Sequence, residues 1–246
     1  MRQTELIMGM PITVQVLGQK AAEGITAVFD YFRAVDERFS TYKPQSEISR
    51  INREEISASQ FSKEMKEVLA LSEQTKQETG GYFDIRKPDG ALDPSGLVKG
   101  WAINNAALLL QKQGYKNFFI DAGGDMQTLG QNEQGQPWRV GIRNPFNTSQ
   151  IIKALRLSGQ GIATSGSYER SAHIYNPKRP DDPLDEIVSL TVIGPDVYQA
   201  DRFATAAFAM GPTGIEFIEK QKNLEGYMIN RHGLATQTSG FDRFVI

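Results

Sequence analysis

Residues 81–104 read GYFDIRKPDGALDPSGLVKGWAIN, and the change of pattern inside this stretch sets the reading of the whole chain. Asp93-Pro94-Ser95-Gly96 has the composition of a tight turn, because proline fixes φ and glycine accepts φ > 0. From Leu97 onward the spacing becomes helical: Leu97, Trp101 and Leu108 recur on one side, and Ala106, Leu109 and Leu110 widen the apolar stripe. Gly114 is placed to end that helix as its C′ residue. The pattern predicts Lys99 and Gly100 in the first turn. Free N–H groups, the partial positive charge of a helix start and a lysine make a seat for a phosphate there. The same residues also read as a capped surface helix with a solvated lysine.

Working outward, helices and short strands interleave. Ile7, Ile12, Val14 and Val16 alternate loosely, which predicts a strand over residues 5–17 interrupted near Met8-Gly9-Met10-Pro11. Residues 20–38 put Ile25, Val28, Phe29, Phe32 and Val35 on one helical face. A Pro-centred loop with Tyr42 follows, then a short helix capped by Ser46. Residues 62–79 predict another helix, stopped by Gly80-Gly81. Phe118 to Ile120 is a short strand running into Asp121-Ala122-Gly123-Gly124-Asp125, which is either a simple turn or a close approach to a ligand. Further strands are expected over residues 138–142, 151–157 and 187–193. Residues 161–170 read as a strand end entering a polar turn, and residues 226–246 as two or three closing strands. Helices are expected over residues 197–210 and 213–222.

Composition narrows the classes. At 246 residues, with 39% hydrophobic and 23% charged residues, the chain fits one globular domain over residues 1–246 with a sizeable core. A net charge of −2 gives no general attraction to nucleic acid. No apolar run approaches the ~20 residues of a transmembrane helix. Without cysteine, there is no disulfide, thiolate metal site or cysteine nucleophile. No signal peptide is visible, so the expected location is the cytoplasm, or an exported site reached after loss of a leader.

Chemistry-bearing residues lie in separate segments. Asp201 and Thr205 are four apart on one helix face and offer a carboxylate and a hydroxyl to one point, the oxygen ligands that Mg²⁺ takes. The small, apolar residues around them point to a buried helix, where a carboxylate needs a partner. An isolated pair of this kind also reads as a solvated Asp beside a Thr bonded to its own backbone. Thr164-Ser165-Gly166 is not a Gly-x-Ser-x-Gly elbow. His173 is one of two histidines, with His232. No P-loop and no Gly-x-Gly-x-x-Gly after a strand are present. The set suits a ligand with a pyrophosphate, a metal ion and a flat ring.

Eight motifs, in order along nearly the whole chain, resemble the ApbE family of FAD:protein FMN transferases. They are Met8-Gly9; Phe39-Ser40-x-Tyr42 with Ser46-Glu47-Ile48 and Asn52; Phe83-Asp84; Asp93-x-x-Gly96-x-x-Lys99-Gly100; Gly123-Gly124-Asp125; Thr164-Ser165-Gly166; His173-Ile174-x-x-Pro177; and Ala200-Asp201-x-x-Ala204-Thr205. The resemblance implies an α+β (mixed α/β) single domain with mostly antiparallel sheets flanked by helices. It implies Mg²⁺ and FAD, with FMN moved to a Thr or Ser hydroxyl of an acceptor flavoprotein subunit and AMP released. It puts Met8, Tyr42, Tyr82, Phe83, Asp84, Asp93, Lys99 and Ile174 around FAD. It puts Asp201, Thr205 and the carbonyls at Gly96 and Ala204 on the metal. It makes His173 the candidate for proton transfer, beside Lys99 and Asp201 as catalytic residues. A Mg²⁺-dependent FAD pyrophosphatase and a non-catalytic flavin-binding protein are the rival readings.

Two positions depart from the family pattern. Asp121 stands where Asn is common, which changes one hydrogen bond and adds a negative charge. Arg202 stands where a small or apolar residue is commoner, with its side chain expected either in solvent or against an acidic partner.

Overall fold

The structure, a computed structural model, describes residues 1–167, 175–181 and 183–246. Strands β1 (Arg2–Ile7) and β2 (Met10–Val16) pair antiparallel across Met8-Gly9. Both turn residues have positive φ, 55° and 70°, as in a two-residue hairpin turn whose twist matches its strands. The single interrupted strand of the sequence reading is therefore two strands, because the turn falls at the interruption. Gly123-Gly124, with φ of 62° and 97°, makes the same device between β3 (Phe118–Ala122) and β4 (Asp125–Leu129).

Four helices follow the apolar periodicities. Helix α1 (Ala21–Phe39) buries the Ile25, Val28, Phe29, Phe32, Val35 face. In α2 (Glu47–Asn52) the Ser46 side chain accepts from the Ser49 N–H at 3.1 Å, so the expected cap forms. Ser62 caps α3 (Lys63–Glu78) in the same way. Helix α4 (Ser95–Lys112) ends where Gly114, at φ 88°, lets Gly114 N–H reach Gln111 O (2.9 Å) and Tyr115 N–H reach Leu110 O (3.1 Å). That double closure satisfies the last carbonyls of the helix.

The start of α4 corrects the sequence reading. The Asp93–Gly96 segment is not a free-standing turn; Pro94 is the cap residue and Ser95 the first helical residue. Proline's fixed φ suits a helix start, where its missing N–H costs nothing. Lys99 and Gly100 therefore lie in the second turn, past the free N–H groups.

The remaining elements are a hairpin of β5 (Trp138–Asn144) and β6 (Asn147–Leu157), strands β7 (Gly161–Gly166) and β8 (Ile187–Gly194), and helix α5 (Val197–Ala209). Then come a six-residue α6 (Gly214–Glu219), β9 (Glu225–Asn230) and β10 (Ala235–Gln237). The chain closes in a short 3₁₀ helix at Phe241–Phe244 rather than a third strand.

Eight strands form one sheet in the order β1-β2-β3-β4-β7-β8-β9-β10, and every pair is antiparallel. The β5–β6 hairpin stays outside that sheet. On one face, α1 and α4 cover β2 and β3, with Phe29, Phe32, Ile103 and Ile120 buried among them. Next to them α5 covers β7 and β8 through Ala200, Phe203, Ala204 and Phe208, and α6 packs on β9. The hairpin covers the opposite face, packing Val140, Ile142 and Leu155 on Ile162, Ile193 and Ile229. Truncating a fully buried Phe such as Phe32 in such a core costs about 3–5 kcal/mol.

Candidate functional site

The site forms where α4 crosses α5. A Cβ on Gly100 would stand 2.6 Å from Asp201 Cβ and 2.9 Å from the Val197 carbonyl, so only glycine lets the helices meet this closely. The approach brings Gly100 N–H to Asp201 Oδ2 at 2.8 Å. One residue earlier, Lys99 sends its ammonium inward: Nζ lies 2.5 Å from Asp125 Oδ2 and 3.9 Å from Asp201 Oδ1. Asp125, at the end of the Gly-Gly turn, also accepts from Thr164 N–H of β7 at 2.9 Å. The Thr164 hydroxyl in turn lies 2.8 Å from that of Thr191 on β8. The seat expected for a phosphate at Lys99 is thus a lysine held between two carboxylates.

Both carboxylates are buried, Asp201 at 4% exposure and Asp125 at 1%. Burial pushes the Asp201 carboxyl up to about 7, with nearby Asp125 adding to the rise, against the opposing pull of Lys99 and the Gly100 N–H. Among the described residues, two buried carboxylates share one ammonium, a setting that suits a further cation.

Gly96 lies under the Thr205 side chain. Its φ is not in the left-handed region; a Cβ there would stand 3.4 Å from Thr205 Cγ2 and 3.5 Å from Phe83. Neither turn geometry nor packing within the chain requires glycine at this position. Thr205 Oγ1 donates to Gly96 O over a long 3.5 Å, so the hydroxyl bonds across to α4 and not to its own helix. Asp201, Thr205 and Gly96 therefore face one space at the start of α4. Ala204 is fully buried inside α5 beside them.

Comparison with known proteins matches the stretch of chain that carries these residues. The sequence profile of the ApbE family matches residues 8–87 and 85–228. The chain belongs to the ApbE family. It is 30% identical over 166 residues to a FAD:protein FMN transferase of Escherichia coli K12, covering 64% of this chain and 47% of that one. It is 25% identical to one from Haemophilus influenzae, covering 92% and 84%. The chain spans about half the length of the first curated relatives it matches, 46–47%. The fold is similar to that of the flavin transferase ApbE from Vibrio cholerae, with a TM-score of 0.86 at 23% identity over 99% of this chain and 98% of that one. It also matches the ApbE protein of Thermotoga maritima, with a TM-score of 0.89 at 19% identity over the same shares.

The other ApbE motif residues gather less tightly. Phe83 is buried and its N–H donates to the Thr79 hydroxyl at 3.2 Å. Tyr82 is half-buried, with the Lys178 ammonium 4.2 Å from its ring centre. Asp84 pairs with Lys76 at 2.7 Å and accepts from Arg86 N–H at 2.8 Å, while Asp93 accepts from Ser95 N–H at 3.1 Å. Asn52 bonds both backbone groups of Leu92 at 2.8 and 2.9 Å, which ties the Tyr42 loop and α2 to the segment before α4. Tyr42 itself is 85% exposed. Met8 stands in its left-handed turn, partly buried against the core. His173 and Ile174 lie outside the described residues.

Of the two alternatives for Arg202, solvent or an acidic partner, the structure takes the second. It is buried, its guanidinium bonds to Glu78 and to the Thr75 hydroxyl on α3, and it lies over the Phe203 and Tyr198 rings. Its acidic partner is within the chain. Asp121 accepts from Gly124 N–H at 2.9 Å.

Two polar residues were missed as site members. Asp125 is the direct partner of Lys99; its signal was an aspartate opening a strand immediately after two glycines. Gln127 is buried and accepts from the α5 Val197 N–H at 2.8 Å while donating to Gly159 O at 3.0 Å. A lone glutamine in a short buried strand was its only trace.

Proposed function

We propose that this protein is a Mg²⁺-dependent FAD:protein FMN transferase. The observation that carries the reading is the meeting of Lys99 and Gly96 on α4 with Asp201 and Thr205 on α5, motifs about a hundred residues apart. In the reaction, an acceptor Thr or Ser hydroxyl oxygen attacks the FMN phosphorus of FAD. The bond from that phosphorus to the AMP oxygen breaks, the hydroxyl proton goes to a base, and AMP leaves with the bonding pair.

The donor set fits the cation. Asp201 Oδ, Thr205 Oγ1 and the Gly96 carbonyl are all hard oxygens, and burial, with Asp125 nearby, raises the Asp201 carboxyl, a rise that a bound cation would oppose. No cluster of three or more His, Cys, Asp or Glu exists among the described residues, so hydroxyl and carbonyl oxygens complete the set, with the Ala204 carbonyl as the remaining proposed member. When bound, Mg²⁺ supplies charge neutralisation for a pyrophosphate and for the departing AMP.

The chain's own residues do the positioning. Lys99 adds a positive charge next to the diphosphate, where fixed charge is most effective. Tyr42, free of the core and 85% exposed, offers a ring for stacking on the isoalloxazine. Tyr82, Phe83, Asp84 and Asp93 border the same approach to α4, and Met8 and Ile174 complete the proposed FAD contacts. His173 is the proposed proton acceptor, a role contributing on the order of 10²–10⁴ in rate.

The test is incubation with FAD and Mg²⁺, with and without a Thr-containing flavoprotein subunit, followed by intact-mass analysis and AMP detection. An acceptor heavier by one FMN, with matching AMP, supports the transferase. AMP with no mass gain on any acceptor supports the pyrophosphatase, and FAD bound without AMP supports the binding protein; either result overturns the proposal.

A further inference from the structure

The β5–β6 hairpin carries a charge pattern unlike the rest of the chain. Residues 138–157 hold Arg139, Arg143, Lys153 and Arg156 and no acidic residue, in a chain of net charge −2. The strand pattern puts Trp138, Val140 and Ile142 into the core and Arg139, Gly141 and Arg143 into solvent. Across the ladder, Arg139 faces Arg156, Gly141 faces Ala154 and Arg143 faces Ile151. Two like charges directly opposite each other destabilise a hairpin. None of these four cations forms an ion pair within 4.0 Å among the described residues. Lys153 lies on the other face, over the Tyr227 ring.

The same hairpin ends in exposed apolar residues. Phe146 is 58% exposed and Ile151 56%. Phe146 lies beside Gly233 in the β9–β10 turn, next to Leu234, which is 67% exposed. The pairings fix where this tip sits. Trp138 Nε1 donates to Leu129 O at the far end of β4, so β5 runs back toward the end of the sheet that carries the Gly123-Gly124 turn. Arg143, near the tip, lies within electrostatic reach of Asp121, just before that turn. The Thr164-Ser165-Gly166 end of β7 and the start of β8 share this end. The apolar tip and Arg143 thus reach the end of the sheet that carries the candidate site, on the side opposite the helices, and Arg139 with Arg156 extends the basic face toward the far end of β4.

We infer that this hairpin face docks the acceptor protein, through an acidic segment bearing apolar residues next to its Thr or Ser. The inference rests on the transferase reading above. Charge complementarity selects the occupant: Arg139, Arg143 and Arg156 on the outer face take carboxylates, and Phe146 with Leu234 takes an apolar side chain. A rim of this kind acts on encounter and orientation more than on the chemical step.

The probe is a fluorescent 20-residue peptide with one Thr flanked by Asp, Glu and Leu, against a version with Asn and Gln at the acidic positions. Binding is read by anisotropy at low and high salt, with Arg139→Glu/Arg156→Glu, the neutral Arg139→Gln/Arg156→Gln and Phe146→Ser beside the wild type; melting curves verify that each is folded. The acidic peptide is expected to bind at least about tenfold more tightly than the neutral one, with the preference lost in high salt and in the Glu variant and halved or better in the Gln variant. FAD affinity and AMP release without acceptor should not change in any of the variants. Equal binding of both peptides, equal binding by wild type and Glu variant, or tighter binding of single-stranded DNA or anionic vesicles than of the acidic peptide overturns the docking surface. Absence of FMN on a peptide that binds as expected overturns the transferase reading instead and leaves the docking result intact.

Discussion

Replacing Gly100 with alanine tests the helix crossing on which the site depends. The new methyl would meet Asp201 Cβ at 2.6 Å and both Asp201 Oδ2 and Val197 O at 2.9 Å. Two of these neighbours are backbone or the stem of a short side chain, so they move only if α4 and α5 separate, by about 0.8 Å or more. Overpacking of this kind costs about 1–3 kcal/mol. Weakening the Gly100 N–H to Asp201 bond adds about 1 kcal/mol, and alanine's better helix propensity returns about 1 kcal/mol. The net is a loss of about 2 kcal/mol, or about 4–8 °C in melting temperature for a chain of this size. Gly96→Ala is the internal comparison. There the methyl meets Thr205 and Phe83 at ordinary contact distances of 3.4 and 3.5 Å, so stability should hold or rise by up to about 1 kcal/mol. Thermal melts followed by circular dichroism, with urea titrations to confirm an unchanged m-value, read both variants. If Gly100→Ala melts within a degree of the wild type, or if Gly96→Ala loses more than Gly100→Ala, the account of why glycine stands at each position is wrong.

Four further outcomes are expected. Asp201→Ala should remove Mg²⁺-dependent turnover while leaving the far-ultraviolet spectrum native, and retained turnover would take Asp201 out of the metal site. Tyr42→Ala should weaken FAD binding without moving the melting temperature, since the ring touches little else; an unchanged dissociation constant would end its stacking role. Gln127→Ala leaves the buried Val197 N–H and Gly159 O without their side-chain partner and should cost about 2–3 kcal/mol in chemical denaturation; a loss under about 0.5 kcal/mol would refute the bridging role. Burial raises the Asp121 carboxyl above its ordinary value. The folded protein therefore holds that proton to higher pH than the unfolded chain, and stability is lost as pH rises through the window above the usual carboxylate value. Asp121→Asn keeps an acceptor for Gly124 N–H and should raise the melting temperature at pH 7 by on the order of 2 °C, with a smaller gain at pH 4. An equal change at both pH values would show that titration is not involved.

Much of this was legible in the sequence where one physical signal dominates. Helical spacing found α1, α3, α4 and α5, Ser46 marked the start of α2, and Gly114 marked the end of α4. The buried Asp201 was legible from the small residues around it. What was not legible depends on contacts between distant segments. The inward turn of Lys99 follows from Asp125, and nothing local ties the two. The same holds for Arg202, whose partner Glu78 sits on α3; locally it looked like a surface cation on a helix. Gly96 suggested a turn needing backbone freedom, which the structure does not use, and Gly100 suggested a close approach, which the structure gives to a neighbouring helix. The register of β1 and β2 was blurred because Met8 occupies a left-handed position usually marked by glycine or asparagine.

The ladder between β4 and β7 joins only two residue pairs, Met126–Ile162 and Gln127–Gly161, and it divides the sheet into two sequence-contiguous halves. Everything before it, β1 to β4 with α1 to α4, is built from one stretch of chain; β7 to β10 with α5 and α6 come from another. Asp125 and Lys99 belong to the first half, Thr164 and Asp201 to the second. The site is therefore a clasp between two units whose apolar interiors meet where Val197 and Ala206 of α5 enter the first cluster. Amide exchange at Thr164 and Gly100 reports whether the clasp is closed, separately from whether either half is folded.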